Sequence, residues 1–156
     1  DAQESRGLGD VYKRQTQASV TIDQKLYSEI GKGFLVLIGI CDEDTKETAD
    51  KMVRKLIGMR IFSDENGKTN LALKDVDGQL LLVSQFTLYA DCKKGNRPSF
   101  VKAGSPQHAN ELYEYIIDAC KKEVPVVKTG VFGAEMEVAL INDGPFTIIL
   151  DSKDLA

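Results

Sequence analysis

The chain holds a single histidine, His108, and only three cysteines, Cys41, Cys92 and Cys120. No two cysteines have CxxC spacing, and one histidine cannot complete a ligand set with them, so no structural zinc site is expected. An odd number of unpaired cysteines reads as reduced thiols in a reducing compartment. The lone histidine also weakens any Ser-His or Cys-His nucleophile scheme. No apolar run reaches the roughly 18 residues of a membrane span. The first ten residues are polar and contain glycine, unlike a secretory signal. There is no P-loop, GxGxxG or HExxH pattern, no conspicuous carboxylate pair, no internal repeat and no low-complexity linker. The expectations are a cytoplasmic protein with no membrane partner, no metal and no cofactor.

What is present is an ordinary globular composition. The 156 residues are 42% hydrophobic, enough for one domain with a sizeable core. Net charge is −4, which does not favour a general phosphate-binding surface. Charge is nevertheless local: Lys93, Lys94, Arg97 and Lys102 cluster in one stretch, which reads either as a solvated loop or as an anion-binding patch.

Along the chain, Asp1 to Gln15 lacks an initiator methionine and a clear period, and residues 1–15 read as a non-native or atypical leader. The folded domain is expected over 16–152, with a polar, fraying tail at 153–156. Ala18 to Ile22 alternates as a half-buried strand, Leu26 to Ile30 follows as a second, and Phe34 to Ile40 is apolar throughout, as in a strand covered on both faces. Asp44 to Ile57 reads as a helix capped by Asp44 with Glu47, stopping at Gly58. A short strand at Arg60 to Phe62, a turn at Asn66-Gly67 and a strand from Leu80 to Leu88 come next. Ser105-Pro106 opens a second helix. Two strands, Met136 to Ile141 and Phe146 to Leu150, are expected to close the chain around a Gly144-Pro145 turn. The strands outnumber what two helices can cover, so part of the sheet must pack on another sheet, within the chain or across a dimer.

Three places carry candidate chemistry. In Ser84-Gln85-Phe86-Thr87-Leu88 an apolar strand suddenly bears hydroxyl and amide groups. Thr87 reads either as a nucleophile lacking a nearby base or as a β-branched strand residue bonded to backbone. Gln85 has an amide able to donate to an ester carbonyl. In Asn142-Asp143-Gly144-Pro145 four turn-prone residues share one connection, an ordinary hairpin or a shaped loop whose carbonyls accept from an ammonium group. In Gly130 to Met136, Phe132 and Met136 are either core residues beside a glycine turn or a soft face for an adenine.

Taken together, Ala18-Ser19-Val20, Gly31-Lys32-Gly33, Arg60-Ile61-Phe62, Ser84 to Leu88, Lys94 to Phe100, Phe132-Gly133-Ala134 and Asn142 to Pro145 resemble the D-aminoacyl-tRNA deacylase family, also called D-tyrosyl-tRNA deacylases, from about Ala18 to Ser152. The resemblance implies an α/β, layered helix/sheet/sheet single domain, homodimeric, that hydrolyses the ester of D-aminoacyl-tRNA and of glycyl-tRNA. It implies that Ser84, Gln85, Phe86 and Thr87 are catalytic and border the scissile ester, that Phe132 and Met136 line the adenine pocket, and that Gly133 and Ala134 also bind substrate. Asn142, Gly144 and Pro145 would bind substrate, Gly144-Pro145 as a cis pair inserted into the partner subunit's pocket, where its carbonyls hold the substrate amine and exclude an L side chain. Lys94 and Arg97 would meet tRNA. The family offers two mechanisms, Thr87 attack or assistance by the 2′-hydroxyl of the terminal ribose, and the missing base favours the second. Other readings are a noncatalytic nucleic-acid-binding relative and a Thr-nucleophile amidase or esterase. D-aminoacyl-tRNA and a second copy of the chain are the expected partners; DNA is not expected. The chain departs from the family at Val11 to Gln15, where Arg14 alone matches and Gln15 replaces an expected apolar residue.

Overall fold

The computed structural model describes residues 8–155, so 1–7 of the expected leader and Ala156 lie outside the described residues. It is a mixed α/β domain of eight strands and two helices. In order these are β1 (Gly9–Ile22), β2 (Lys25–Ile30), β3 (Gly33–Gly39), α1 (Lys46–Gly58), β4 (Phe62–Ser63), β5 (Thr69–Leu71), β6 (Gln79–Ser84), α2 (Pro106–Glu123), β7 (Val127–Thr129) and β8 (Glu137–Asp151). Short 3₁₀ turns follow β5, β6 and β8.

Six strands form one sheet in the order β2-β1-β3-β6-β7, with β8 on the other edge of β1. β1 is the organiser. Its first half pairs antiparallel with β3, from Gly9↔Gly39 to Gln15↔Gly33, and its second half pairs with β2, from Ala18↔Ile30 to Ile22↔Lys25. β8 follows β1 from end to end. One long strand serving two neighbours in succession must bend, so the sheet curls toward a barrel. In place of the expected helix/sheet/sheet layering stands one curled, near-barrel sheet with the two helices against it. β3, β6 and β7 run parallel, joined by crossovers through α1 and α2.

Alternation along β3 and β6 divides the interior in two. Phe34, Val36, Ile38, Leu80 and Leu82 face the helices, where they meet Met52 and Leu56 of α1 and Leu112, Tyr113 and Ile116 of α2. Leu35, Leu81 and Val83 face the inside of the curl and pack on Ala18, Val20 and Ile30. The helices bind to the sheet through apolar stripes at three- and four-residue spacing.

Several boundaries differ from those read in the sequence. The boundary expected after Gln15 does not fall there: β1 begins at Gly9, and Leu8 and Tyr12 are fully buried. β3 and β8 flank this stretch on both sides, and pairing overrides its weak period. Helix α1 is capped by Thr45, whose hydroxyl accepts from Thr48 N while Thr48 Oγ1 accepts from Thr45 N. Asp44 is buried instead, and its carboxylate accepts from Leu8 N and Cys41 N. The strand expected to reach Leu88 ends at Ser84, because β3 stops at Gly39 and offers nothing further to pair with. The chain turns there into the 3₁₀ turn Phe86–Tyr89. Ahead of the expected tail, Ser152 N donates to Leu8 O at 2.8 Å and begins a 3₁₀ turn that runs to Asp154.

Candidate active site

The polar stretch Ser84 to Thr87 and the Phe132 segment meet around one cavity of about 730 Å³. One wall is the end of β6 and its 3₁₀ turn, from Ser84 to Thr87. The opposite wall is Phe132 to Met136, and Val83 forms part of the floor. All eight of the pocket residues expected from the sequence line it: Ser84, Gln85, Phe86, Thr87, Phe132, Gly133, Ala134 and Met136. Gly144, Pro145, Asn142, Lys94 and Arg97 do not line it.

Topology explains the convergence. β6 and β7 are parallel neighbours, so the segments after their C-terminal ends emerge on the same rim of the sheet. Gly130 N donates to Leu82 O at 3.1 Å and draws the β7–β8 connection down beside β6. A Cβ on Gly130 would lie 2.5 Å from Met136 Sδ, so glycine is what lets Met136 fold back into the pocket. Phe132 leans on Tyr113 of α2, ring centroids 6.2 Å apart. The Tyr113 hydroxyl donates to Leu82 O at 2.7 Å, so this aromatic support is anchored in the core.

The polar edge is sparse. Gln85 Nε2 donates to Thr87 Oγ1 at 2.9 Å, so the threonine hydroxyl is oriented by an amide, not activated by a base. Glu135 is the single ionisable side chain among the described residues lining the cavity. His108 lies in the first turn of α2 with Nε2 2.9 Å from the Asp44 carbonyl, so that nitrogen is taken up as a donor. Cys41, beside the lining residue Ile40, offers no alternative nucleophile: burial, with the Asp44 charge beside it, pushes its thiol up to about 12. The N–H groups of Phe86 and Thr87 open the 3₁₀ turn and have no acceptor within it.

Sequence reasoning missed the third wall. Ala103, Gly104, Pro106 and Ala109 close the cavity from the start of α2, and Phe100 stands at its mouth. Three hydrogen bonds hold this wall against the end of β3: Gly104 N to Ile40 O, Ser105 N to Asp42 Oδ1, both 2.8 Å, and His108 to Asp44. The small pair Ala103-Gly104 before a helix cap was the available signal.

The Gly144-Pro145 peptide is cis, with Gly144 at φ +132. It does not sit in a turn between two strands as expected. β8 is one continuous strand, and its register against β1 jumps from Gln15↔Asn142 to Lys13↔Thr147. The surplus residues bulge outward as an exposed loop, because both halves of β8 pair with the same strand and only the excess can leave the ladder. Asn142 staples the bulge, its Oδ1 accepting from Phe146 N and its Nδ2 donating to Thr147 Oγ1, both at 3.1 Å. Arg14 Nε donates to Asp143 O at 3.0 Å while its guanidinium lies over the Phe146 ring. Gly144 is six positions along β8 from the lining residue Val138, at most roughly 20 Å of chain.

The family model for D-Tyr-tRNA(Tyr) deacylase matches residues 11–151. The chain belongs to this family. Relatives named D-aminoacyl-tRNA deacylase from Clostridium novyi and Clostridium acetobutylicum are 52% and 50% identical to it over 143 residues, covering 92% of the chain and 96% of each relative. A relative of the same name from Thermosipho africanus is 50% identical over the same span. Among solved structures, that of a protein named "c-Myc DNA Unwinding Element Binding Protein" is 40% identical with a TM-score of 0.86, covering 92% of this chain and 97% of that one. A probable eukaryotic D-amino acid tRNA deacylase matches with a TM-score of 0.80 at 17% identity, a likeness of fold alone. No described helix is long and apolar enough to cross a membrane.

Proposed function

We propose that this chain is a D-aminoacyl-tRNA deacylase, an ester hydrolase that removes D-amino acids from tRNA and so proofreads chirality in translation. The observation that carries this reading is the convergence of Ser84 to Thr87 and Phe132 to Met136 on one cavity, in a chain of the deacylase family. The adenine of the terminal adenosine lies between Phe132 and Met136. The ester lies against Gln85, Phe86 and Thr87. Water adds to the ester carbonyl, the C–O bond to the ribose breaks, and the ribose oxygen takes the proton. The products are free amino acid and intact tRNA. The N–H groups of Phe86 and Thr87 are the donors for the negative oxygen of the intermediate. With no base beside Thr87, the 2′-hydroxyl of the ribose assists the attack and the protein contributes position.

The chiral filter is the Gly144-Pro145 bulge of a second copy. It does not line its own cavity, and the working unit in this reading is a homodimer. Its carbonyls accept from the substrate ammonium and leave no room for a side chain of L configuration. Glycyl-tRNA, having no side chain to reject, is also a substrate. Lys94 and Arg97 meet tRNA phosphates, and the setting is the cytoplasm.

The test is hydrolysis of D-tyrosyl-tRNA against L-tyrosyl-tRNA. Release of the D-amino acid alone is the expected result. A second reading, a noncatalytic nucleic-acid binder, is favoured by the likeness to the 40% identical protein, which is named for binding DNA. No hydrolysis of either ester, with binding of nucleic acid retained, would establish that reading instead.

A further inference from the structure

The segment between the two walls of the cavity mouth is a closed hairpin. It leaves the 3₁₀ turn at Tyr89 and returns at Phe100, which itself lines the cavity. Its base is closed by a reciprocal pair, Asp91 N to Ser99 O at 2.7 Å and Ser99 N to Asp91 O at 2.9 Å. Asp91 adds a hydrogen bond from Lys93 N and an ion pair with Lys102 at 3.8 Å. Gly95 at φ +63 makes the reversal. From Cys92 to Lys102 there are four cations and no acid, in a chain whose net charge is −4.

Apolar side chains stand exposed at the foot of this basic hairpin. Phe86 is 58% exposed, Phe100 36% and Val101 85%. The two rings meet edge to face, centroids 5.1 Å apart, which leaves faces open at the rim of the cavity. A purely solvated loop gives no reason for three exposed apolar residues beside its cations. Aromatic faces next to a cationic track are how proteins hold single-stranded nucleic acid. Gly95 is four positions from either side of the base, so the tip lies within roughly 13 Å of it.

We propose that this hairpin binds the unpaired nucleotides immediately preceding the terminal adenosine of an RNA 3′ end. Phe100 stacks on the neighbouring base, Val101 packs beside it, and Lys94 and Arg97 meet the phosphates of that same strand. The inference rests on the deacylase reading of the cavity and extends it: the enzyme measures a short single strand, and an aminoacyl-adenosine lacking that strand is a poor substrate.

Three esters test this: D-tyrosyl-adenosine, D-tyrosyl-CCA trinucleotide and D-tyrosyl-tRNA. Wild type is expected to show a KM at least about tenfold lower for the trinucleotide than for the adenosine ester, most of the gain seen with whole tRNA. Val101→Glu, outside the cavity, is expected to raise KM severalfold for both longer esters and leave the adenosine ester unchanged. Phe100→Ala is expected to raise KM for the trinucleotide roughly tenfold, and Phe100→Trp to restore it. Binding of a labelled, uncharged CCA-ending strand, followed by anisotropy, is read in parallel. Arg97→Gln leaves one phosphate of that strand unneutralised and should reduce the salt slope of its binding by about 0.7. If no ester is cleaved but Phe100→Ala still weakens the CCA strand, the deacylase reading falls and the hairpin subsite stands. If the trinucleotide and adenosine esters share one KM, or only whole tRNA is favoured, or Val101→Glu acts equally on all three, the subsite is overturned.

Discussion

Thr87 is where a single side chain decides between mechanisms. Its hydroxyl accepts from Gln85 Nε2 at 2.9 Å, and a hydroxyl so held has no group to take its own proton. Thr87→Ala is therefore expected to lower kcat for D-tyrosyl-tRNA by less than about tenfold, whereas loss of a true nucleophile costs roughly 10⁴- to 10⁶-fold. Single-turnover kinetics separate the two. A second residue matters for stability. Asp10 is fully buried, its Oδ1 has no partner, and Tyr12 reaches only Oδ2, at 3.3 Å. Burial raises its carboxyl to about 7, against the Tyr12 hydrogen bond and with help from Asp44. The unfolded chain sheds this proton near pH 4 and the folded chain holds it to about 7. Stability accordingly falls as pH rises between those values, by a few kcal/mol, and levels off above. Asp10→Asn should lack this fall; parallel melting curves between pH 4 and 8 that coincide for the two proteins would refute it. The only other orphaned buried side-chain oxygen among the described residues is Gln15 Oε1, the residue that stood where an apolar one was expected. A polar misfit was legible there in the sequence. That the strand nevertheless pairs was not, because pairing is decided by β3 and β8, far along the chain.

Elements were legible where their signals are local. The cap Ser105 with Pro106 began α2 as expected, with Ser105 Oγ accepting from His108 N. Gly58 ended α1, and Asn66-Gly67 made its turn, Gly67 N donating to Asp64 O. Elements failed where a neighbour decides. β6 ends at Ser84 because β3 ends, and β8 runs on through Gly144-Pro145 because β1 holds both its halves. The loop from Cys41 to Thr45 shows how such long-range pairing shapes the site. Asp42 and the Asp44 carbonyl pin the start of α2, and with it the cavity wall at Gly104 and Pro106. Asp42→Ala removes the acceptor for Ser105 N and should cost about 1 kcal/mol of stability. It is also expected to raise KM for D-tyrosyl-tRNA severalfold with kcat little changed, since it moves a wall and no reacting group. A melting shift without any change in KM would mean that the wall stands without this hydrogen bond.

At the scale of the whole molecule, one chain holds a cavity and a stapled bulge that does not line it. The same strand carries both constraints: β8 supplies Val138 to the cavity, presents Gly144-Pro145 six positions further on, and among the described residues pairs only with β1, leaving its other edge open along 15 residues. Ile141, 53% exposed, and Ile149, 75% exposed, lie on that open strand. Long open edges with apolar side chains are covered in stable proteins, and in the proposed homodimer a second copy would do so by symmetry while delivering its bulge to the facing cavity. This arrangement predicts complementation. Phe132→Asp ruins the cavity of its own chain and leaves the bulge sound. Gly144→Val ruins the bulge, since a Cβ there would lie 2.9 Å from Arg14 Nη2 at a φ of +132, and leaves the cavity sound. Each variant alone should be inactive on D-tyrosyl-tRNA. Mixed in equal amounts and allowed to reassort, half the dimers are hybrids with one complete site of two, so about a quarter of wild-type activity should return. Sedimentation of the mixture should show dimers throughout. If the mixture stays inactive while hybrids demonstrably form, the bulge does not act across the interface, and selection against L side chains must come from the cavity of a single chain.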